Sequence, residues 1–258
     1  MRVAAVQFRP TRGDKAGSLR RLAKLAGGTA RWAKDAGDGR LDLIVLPEMA
    51  ATGYIFSGPD EVRPLAEDLA RGGDSETARA LAPVAREAGA WLVVGLPERA
   101  RDRLFNSALV LDRAGTVRFV YRKTLLFEAD ETWATPGDSG YRVFEDAGAS
   151  FTVGICMDLN DDRFVAHCAA ARARAVALPT NWLDQGEEVW GYWAWRMDGV
   201  PSALVAANTY GEDRGTRFRG ESAILDGREL LAVAARSGDA GLMAGLPPDR
   251  PAVEERPA

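Results

Sequence analysis

The sequence has little histidine, cysteine and lysine, and each shortage excludes a kind of site. One histidine among 258 residues leaves almost no imidazole to act as a base, and it excludes a site built from several imidazoles. Two cysteines argue against a disulfide framework. Only four of the 33 basic residues are lysines. Lys123, directly after Arg122, is therefore a lysine in a chain whose usual cation is arginine.

Long apolar runs and a basic charge balance are absent as well. Nowhere do about 18 consecutive apolar residues occur, and the N-terminus reaches Gln7 before it builds an apolar signal core. A net charge of -4 and a pI near 5.3 leave no electrostatic footprint for nucleic acid. We therefore predict a cytoplasmic protein with a small-molecule partner, no nucleic acid and no membrane contact. Glycine-rich nucleotide motifs and metal-ligand spacings are missing, so no cofactor and no metal are expected.

Apolar runs of strand length alternate with helical patterns along most of the chain. Runs such as 2–8, 41–47 and 175–180 consist mostly of Val, Ile, Leu and Ala, as strands buried on both faces should. Pro83 interrupts one helical pattern, which should start late or kink there. Hairpins are predicted around Ala114-Gly115 and Asp226-Gly227. The alternation predicts an α/β protein, and the hairpins predict mixed sheets. The helical patterns cover residues 17–36, 75–88, 162–173 and 187–197.

The chain shows no internal repeat and no linker between two domains. We therefore predict a single domain over residues 1–246. Residues 247–258, "PPDRPAVEERPA", are rich in proline and charge and have nothing to bury. Such a segment cannot offset the entropy of ordering, so this tail is predicted to be disordered.

Three ionisable residues follow strand-like runs. Glu48 comes after "LDLIVLP", Lys123 after "TVRFVY", and Cys156 ends "FTVGIC". Taken singly, Glu48 and Lys123 fit solvated charges at strand ends. Because α/β sheets bind ligands outside the carboxyl ends of their strands, the three can meet in one crevice. There a carboxylate would accept the thiol proton and an ammonium would stabilise the negative charge that develops.

The motifs around these residues resemble a known family. "LPEMAATGY" around Glu48, "YRKTLLF" around Lys123 and "GICMD" around Cys156 occur in the order of the three signatures of the nitrilase superfamily, the carbon-nitrogen hydrolases. The resemblance runs from residue 2 to about residue 244. It implies an αββα sandwich, with two mixed sheets flanked by helices, that stacks into a homodimer or larger homo-oligomer. It also implies hydrolysis of a non-peptide carbon-nitrogen bond in a small amide.

The resemblance assigns a role to each site residue. Cys156 is the nucleophile that forms a thioester, Glu48 the general base and then acid, and Lys123 the stabiliser of the oxyanion. The backbone N–H of Met157 is the second oxyanion donor.

The resemblance also implies an auxiliary carboxylate beside the lysine. Glu131 is similar in position to a second glutamate found there in many amidases, and it is the predicted residue. Glu128 and Asp130 lie close to it in the sequence and are the alternatives.

The bond that is cut follows from the residues after the cysteine. Met157-Asp158 looks like the amide-cleaving branches, whereas nitrilases generally have Trp-Glu there, and "CMDLN" is similar to the branch that deamidates N-terminal Asn or Gln. Amide hydrolysis is therefore predicted. The alternatives are nitrile hydrolysis by the same triad, acyl transfer to an acceptor other than water, and a non-catalytic thiol-sensing or binding protein on the same fold.

The segment 181–195 is rich in tryptophan and acids. Its aromatic side chains and carboxylates are suited to a ligand with an amino or guanidinium group. The alternative, which we favour for most of the tryptophans, is packing inward or onto a second subunit. Tyr54, Asn181 and Trp182 are the residues predicted to lie nearest the substrate.

Overall fold

The computed structural model describes residues 1–37, 39–69, 75–146 and 148–247. All but the first residue of the predicted tail, 247–258, lies outside the described residues. The strands are β1 (Arg2–Gln7), β2 (Leu43–Val45), β3 (Trp91–Ala100), β4 (Arg103–Leu111), β5 (Val117–Arg122), β6 (Val143–Asp146), β7 (Ala149–Val153), β8 (Ala175–Thr180), β9 (Ala203–Asn208), β10 (Tyr210–Asp213), β11 (Thr216–Arg219), β12 (Ala223–Asp226), β13 (Glu229–Val233) and β14 (Ala240–Gly245). The helices are α1 (Lys15–Asp35), α2 (Pro59–Val62), α3 (Glu76–Ala88), α4 (Glu128–Glu131), α5 (Asp162–Ala171) and α6 (Trp190–Arg196), with a 3₁₀ helix at Cys156–Asn160.

Two mixed six-stranded sheets form the centre of the fold. The first has the order β14-β1-β2-β3-β4-β5 and the second the order β13-β12-β9-β8-β7-β6. In each sheet three strands are parallel, β1 to β3 in the first and β7 to β9 in the second. The remaining pairs are antiparallel. The predicted α/β sandwich of two mixed sheets flanked by helices is confirmed.

The unbroken apolar strands are explained by burial on both faces. In β1, Val3 and Ala5 belong to the core between the two sheets, whereas Ala4 and Val6 belong to the core beneath α1 and α3. A third core lies between the second sheet and helices α5 and α6. Fully burying one such side chain contributes about 1.5–3 kcal/mol, so the layers are held by many small contributions.

Helix α3 does not start late. It begins at Glu76, where the Ser75 side chain accepts a hydrogen bond from the Ala78 N–H at 2.8 Å, and it runs through Pro83. The prediction of a late start is wrong, because the cap at Ser75 satisfies the first turn and buried side chains such as Leu81 hold the helix on the sheet. Proline removes one hydrogen bond within the helix, a cost that this packing offsets.

Both predicted hairpins are present. Leu111 pairs with Val117 across the first turn, and Asp226 pairs with Glu229 across the second. The edge strand β14 is not among the strand-like runs, because its sequence AGLMAG mixes small residues and glycine with two larger side chains and stays half-buried. Among the helices that the structure describes, none is long and apolar enough to cross a membrane.

Candidate active site

Glu48 is positioned by a close approach of two backbones. It follows β2 at the carboxyl end of the strand, and its neighbours bond to β3: the Gly95 N–H donates to the Pro47 carbonyl at 2.9 Å, and the Ala50 N–H donates to the Gly95 carbonyl at 3.0 Å. A Cβ at Gly95 would lie 2.4 Å from the Glu48 Cα. Only glycine therefore lets the Glu48 loop lie this close to β3.

Lys123 lies at the centre of a fully buried charged cluster. It is the first residue after β5, and its backbone N–H donates to the Asn106 carbonyl of β4 at 2.8 Å. Its Nζ donates to Glu48 Oε1 at 2.8 Å and to Asp130 Oδ2 at 2.6 Å. The Nδ2 of Asn106 donates to the same Glu48 oxygen at 2.7 Å and to Asp130 Oδ1 at 3.0 Å. Two carboxylates, one ammonium and one carboxamide are thus joined by direct hydrogen bonds.

The carboxylate beside Lys123 is Asp130. Glu131, the predicted auxiliary carboxylate, and the alternative Glu128 are both exposed, whereas Asp130 is buried. The assignment to Glu131 is wrong in position, because α4 turns Asp130 inward together with Trp133, three residues later. Phe127, three residues before Asp130, is partly buried. The spacing of three residues between Phe127, Asp130 and Trp133 is helical, and it could have indicated that Asp130 faces inward.

Cys156 begins the 3₁₀ helix that follows β7. Its φ of +45° lies in the left-handed region, which residues with a side chain rarely adopt, and such strain is concentrated at functional sites. The side chain is 7% exposed, so the thiol is buried but reaches a cavity that it lines. The segment after β7 is thus a strained helical turn that presents the sulfur to this cavity.

Asp158 ties the cysteine turn to the lysine segment. Its Oδ2 accepts from the Ile155 N–H and from the Tyr121 hydroxyl, both at 2.8 Å. Its Oδ1 accepts from the N–H groups of Thr124 and Leu125, both at 2.9 Å. A buried carboxylate that accepts four hydrogen bonds holds the two segments in a defined relation. The sequence had indicated Asp158 only as a marker of the amide-cleaving branch.

Burial keeps the thiol protonated. Burial and then the Glu48 charge raise the pKa of Cys156 to about 12, against the opposing effects of the Lys123 charge and the Thr180 hydroxyl. The ammonium does lower the cost of the thiolate, as the sequence predicted, but it does not outweigh burial. At neutral pH the thiol of the free protein is therefore neutral.

Burial also affects the pKa values of Glu48 and Lys123. Burial raises the pKa of Glu48, and the Lys123 charge opposes the rise. For Lys123, burial alone would lower the pKa, but the charges of Asp130 and Glu48 outweigh it and hold the pKa well above its usual range. The charges of Glu48 and Lys123 both act on Cys156, so the three side chains lie within electrostatic reach of one another.

A cavity of about 490 Å³ opens over the thiol. The three predicted substrate-contacting residues, Tyr54, Asn181 and Trp182, all line it, and so does Met157. The Tyr54 hydroxyl donates to Asp130 Oδ2 at 3.1 Å, which connects the cavity wall to the charged cluster. The remaining lining residues are Phe127, Asn160, Leu183, Gln185, Glu187, Glu188, Val189 and Tyr192.

The tryptophan-rich segment divides between wall, core and surface. Trp182 lines the cavity, and Trp193 is fully buried, with its ring centroid 5.7 Å from that of Trp182. Trp195 is 60% exposed. Asp184 forms an ion pair with Arg219 at 3.0 Å, so this acid is already occupied. Across the described ranges, no group of three or more His, Cys, Asp and Glu side chains is arranged to hold a metal ion.

Comparison with known proteins identifies the family to which this fold and this cluster belong. Residues 2–242 match the carbon-nitrogen hydrolase family. The chain belongs to this family, within the nitrilase superfamily, and the predicted resemblance is confirmed.

Individual relatives carry both nitrilase and amidase names. The chain is 32% identical to a nitrilase of Pyrococcus abyssi over 216 residues, which is 79% of this chain and 76% of that protein. It is similar in fold to an amidase of Nesterenkonia sp., with a TM-score of 0.77, 23% identity and coverage of 96% of this chain and 90% of that one. An N-terminal amidase bound to an Asn-Glu-Ala peptide has a TM-score of 0.80 at 16% identity, with coverage of 95% and 97%. The two structures establish the fold.

Proposed function

We propose that this protein is an amidohydrolase that cleaves the carbon-nitrogen bond of a small amide through a thioester on Cys156. The observation that carries the proposal is the buried Lys123, which bridges Glu48 and Asp130 and acts electrostatically on a thiol that lines a cavity. Membership of the carbon-nitrogen hydrolase family and amidase-named relatives support it. The assembly into a homo-oligomer stays a prediction.

The first step is transfer of the thiol proton to Glu48 as the substrate arrives. With both carboxylates ionised, Glu48 and Asp130 contribute two negative charges and Lys123 one positive charge, a net charge of -1. A thiolate formed without proton transfer would raise this to -2 in a buried site, which is costly. When the proton moves to Glu48, the charge moves to the sulfur and the net charge stays at -1. The transfer therefore needs no uptake of charge from solvent.

Attack and acyl release follow. The sulfur attacks the amide carbonyl carbon, and the oxyanion is stabilised by the Lys123 ammonium and the Met157 backbone N–H, where one preorganised donor contributes about 3 kcal/mol. Glu48 then gives its proton to the leaving nitrogen, the carbon-nitrogen bond breaks, and ammonia or an amine departs. Water loses a proton to Glu48 and attacks the thioester. A carboxylic acid leaves, and the sulfur takes the proton back from Glu48.

The cavity favours amides without a negative charge. Its charged lining residues are Glu187 and Glu188, and neither lysine nor arginine is among the residues that line it. Glu188 caps Gly191 of α6 at 2.8 Å, whereas the described structure gives Glu187 no ion pair or hydrogen bond. A distal carboxylate on a substrate would be repelled, and an amino group would be attracted to Glu187 and to the rings of Trp182 and Tyr192.

One observation supports the alternative of nitrile hydrolysis: a relative of this chain is named a nitrilase. The same thiolate would attack a nitrile carbon and form a thioimidate. Paired substrates, an amide and a nitrile of the same carboxylic acid, separate the two reactions. We expect ammonia from the amide and little or none from the nitrile.

The test is an ammonia-release screen of small neutral, ω-amino and ω-carboxy amides, with mass spectrometry of the intact protein. We expect turnover of neutral or ω-amino amides and an acyl adduct on Cys156. Cys156→Ala should abolish both, because Cys168, the other thiol of the chain, does not line the cavity. Cys168→Ala is the matched control, since Cys168 is buried in the core between the second sheet and its helices, and it should keep full activity.

Three outcomes would contradict the proposal. Turnover by Cys156→Ala would exclude a thioester on this residue. Oxidation of Cys156 without any acyl adduct would favour a thiol-sensing protein. A new amide formed with an added amine, in place of the free acid, would favour acyl transfer.

A further inference from the structure

One uncharged residue forms hydrogen bonds with all three charged residues of the cluster, two through its side chain and one through its backbone. Asn106 lies in β4, is 1% exposed, and its Nδ2 donates to Glu48 Oε1 at 2.7 Å and to Asp130 Oδ1 at 3.0 Å. Its backbone carbonyl accepts from the Lys123 N–H at 2.8 Å. The mechanism above makes no use of Asn106. A residue that contacts the base, the lysine and the auxiliary carboxylate is well placed to decide how they are arranged.

The two oxygens of Glu48 are not equivalent. Oε1 accepts two hydrogen bonds, from the Lys123 ammonium at 2.8 Å and from the Asn106 carboxamide at 2.7 Å. Oε2 is buried and has no hydrogen-bond partner within the described part of the chain. A buried carboxylate oxygen without a partner is costly, and native structures rarely keep one without a use. Oε2 is therefore free to receive a proton.

We propose that Asn106 is a positioning residue: together with Lys123 it occupies Oε1 of Glu48, and it thereby leaves Oε2 as the oxygen that takes the thiol proton. This inference rests on the proposed function, in which Glu48 is the base for Cys156. The proton passes from the sulfur to Oε2, and the hydrogen bonds to Oε1 persist throughout the transfer. The carboxylate therefore does not have to rotate when it becomes a carboxylic acid.

The chemistry of a carboxamide suits this position. Both neighbours of Nδ2 are acceptors, so the NH₂ group must face them, and Asn106 Oδ1 is left buried without a partner in the described structure. A buried acceptor without a partner lowers stability. A residue that only stabilised the fold is therefore expected to have its acceptor paired. Asn106 also adds no charge. A second cation here would hold Glu48 so firmly in its ionised form that it would become a poor base.

A second effect follows from the same hydrogen bond. The donor from Asn106 is one of the groups that oppose the rise of the Glu48 pKa caused by burial. Without it, the carboxylate form is less stabilised and the pKa of Glu48 rises further. Since the base must be ionised in the free enzyme, the acidic limb of the kcat/KM profile should move to higher pH when Asn106 is replaced.

The experiment compares Asn106→Ala with Ser107→Ala on the amide that the screen identifies. Ser107 is the next residue of β4, is equally buried, and donates to Glu98 outside the cluster, at 2.7 Å. For Asn106→Ala we expect kcat to fall by about 100-fold, the low end of general-base effects, with KM within about three-fold of wild type. The acidic limb should move upward. Ser107→Ala should keep the wild-type kcat and the wild-type limb.

Rescue by a similar side chain separates positioning from folding. Asn106→Gln keeps the carboxamide and should recover part of the lost kcat and return the acidic limb toward wild type. If Asn106→Ala does not fold, as judged by circular dichroism and urea unfolding, Asn106→Asp takes its place. Asp keeps the shape but offers at most one donor, so a reduced kcat and a raised limb are expected for it as well.

The outcomes that overturn this inference are distinct from those that overturn the proposed function. A folded Asn106→Ala or Asn106→Asp variant with wild-type kcat and an unchanged acidic limb would reject the positioning role. Equal losses in Asn106→Ala and Ser107→Ala, with no change of limb in either, would assign Asn106 to the fold and reject the role as well. Full activity of Cys156→Ala would instead reject the proposed function.

Discussion

The two sheets contribute unlike halves to one site. The first sheet and the loop after it supply Glu48, Asn106, Lys123 and Asp130, which are buried and joined to one another by short hydrogen bonds. The second sheet supplies Cys156, with Thr180 and Asn181 from the end of β8, and these groups are neutral. The charged half is closed on itself, whereas the neutral half faces the cavity.

The difference shows how a buried site can hold charge and still react. Charges taken out of water must be paired and hydrogen-bonded, because an uncompensated buried charge costs several kcal/mol. Lys123 pairs with both Glu48 and Asp130 before any substrate arrives. The thiol needs no such pairing while it is protonated, and its pKa of about 12 keeps it so. Charge therefore crosses from one half to the other only during the reaction.

The largest predicted effect comes from removing the one cation of the charged half. Lys123→Met leaves two buried carboxylates without an ammonium, and we expect activity to fall by about 10³-fold. Stability should fall by roughly 3–5 kcal/mol, the range for breaking a buried ion pair. Activity assays and urea unfolding measure the two effects. Lys15→Met is the control, because Lys15 also bridges two carboxylates, Glu67 at 2.9 Å and Glu76 at 3.5 Å, away from the site.

The same variant has a defined pH dependence. The Lys123 charge is the largest of the effects that lower the pKa of Glu48, so its loss raises this pKa further above the value in the unfolded chain. The folded state then holds a proton that the unfolded state releases, and stability falls as pH rises through this interval. Unfolding of Lys123→Met should therefore require less urea at about pH 8 than at about pH 5. A variant equally stable at both would contradict a paired, buried Glu48.

The next effect distinguishes the two neighbouring acids of α4. Asp130→Asn removes a charge that contacts Lys123 at 2.6 Å and an acceptor for the Tyr54 hydroxyl, and kcat should fall by about 10- to 100-fold. Glu131→Gln changes an exposed side chain and should leave kcat within about two-fold, since surface substitutions rarely matter. Steady-state kinetics of both variants show which of the two carboxylates acts beside Lys123. The reverse result would restore Glu131 as the auxiliary carboxylate.

The smallest of these effects concerns the link between the halves. Asp158→Asn replaces one of two accepting oxygens by an NH₂ group that faces donors, so the cysteine turn and the lysine segment lose part of their connection. We expect a loss of about 1–3 kcal/mol in unfolding free energy and a fall in kcat of about ten-fold, as the sulfur is held less well.

A matched change in the same turn tests whether this link matters. Asp161 caps α5 by accepting from the Arg163 N–H at 2.9 Å, and Asn is as good an N-cap as Asp. Asp161→Asn should therefore keep both stability and kcat. An equal loss of kcat in Asp158→Asn and Asp161→Asn would show that the turn is generally sensitive and that Asp158 has no special connecting role.

Much of the fold was predictable, because apolar periodicity is a local property. The runs at 2–8 and 175–180 coincide closely with β1 and β8, and the hairpin turns follow from glycine at the expected positions. The prediction failed where packing decided. The strand β14 is half-buried at a sheet edge and has no strong pattern. Helix α3 passes through Pro83 because its cap and its buried face outweigh the missing hydrogen bond.

The candidate site was predictable in part for the same reason. Glu48, Lys123 and Cys156 each follow a strand-like run, so their placement at strand ends could be expected from the sequence. Asn106 could not be recognised, since a polar residue inside "RLFNSALVL" is also typical of an ordinary strand residue that happens to be buried. Its importance depends on two partners that are 58 and 24 residues away in the chain.

The sequence by itself determined the order of strands and helices and which chemical groups stand at the strand ends, because both depend on neighbouring residues. Only the tertiary structure decided that Asp130 and not Glu131 pairs with Lys123, that one oxygen of Glu48 is occupied and the other free, and that the thiol is protonated. These properties depend on burial and on distances of about 3 Å between segments far apart in the chain, where hydrogen bonds and charges act.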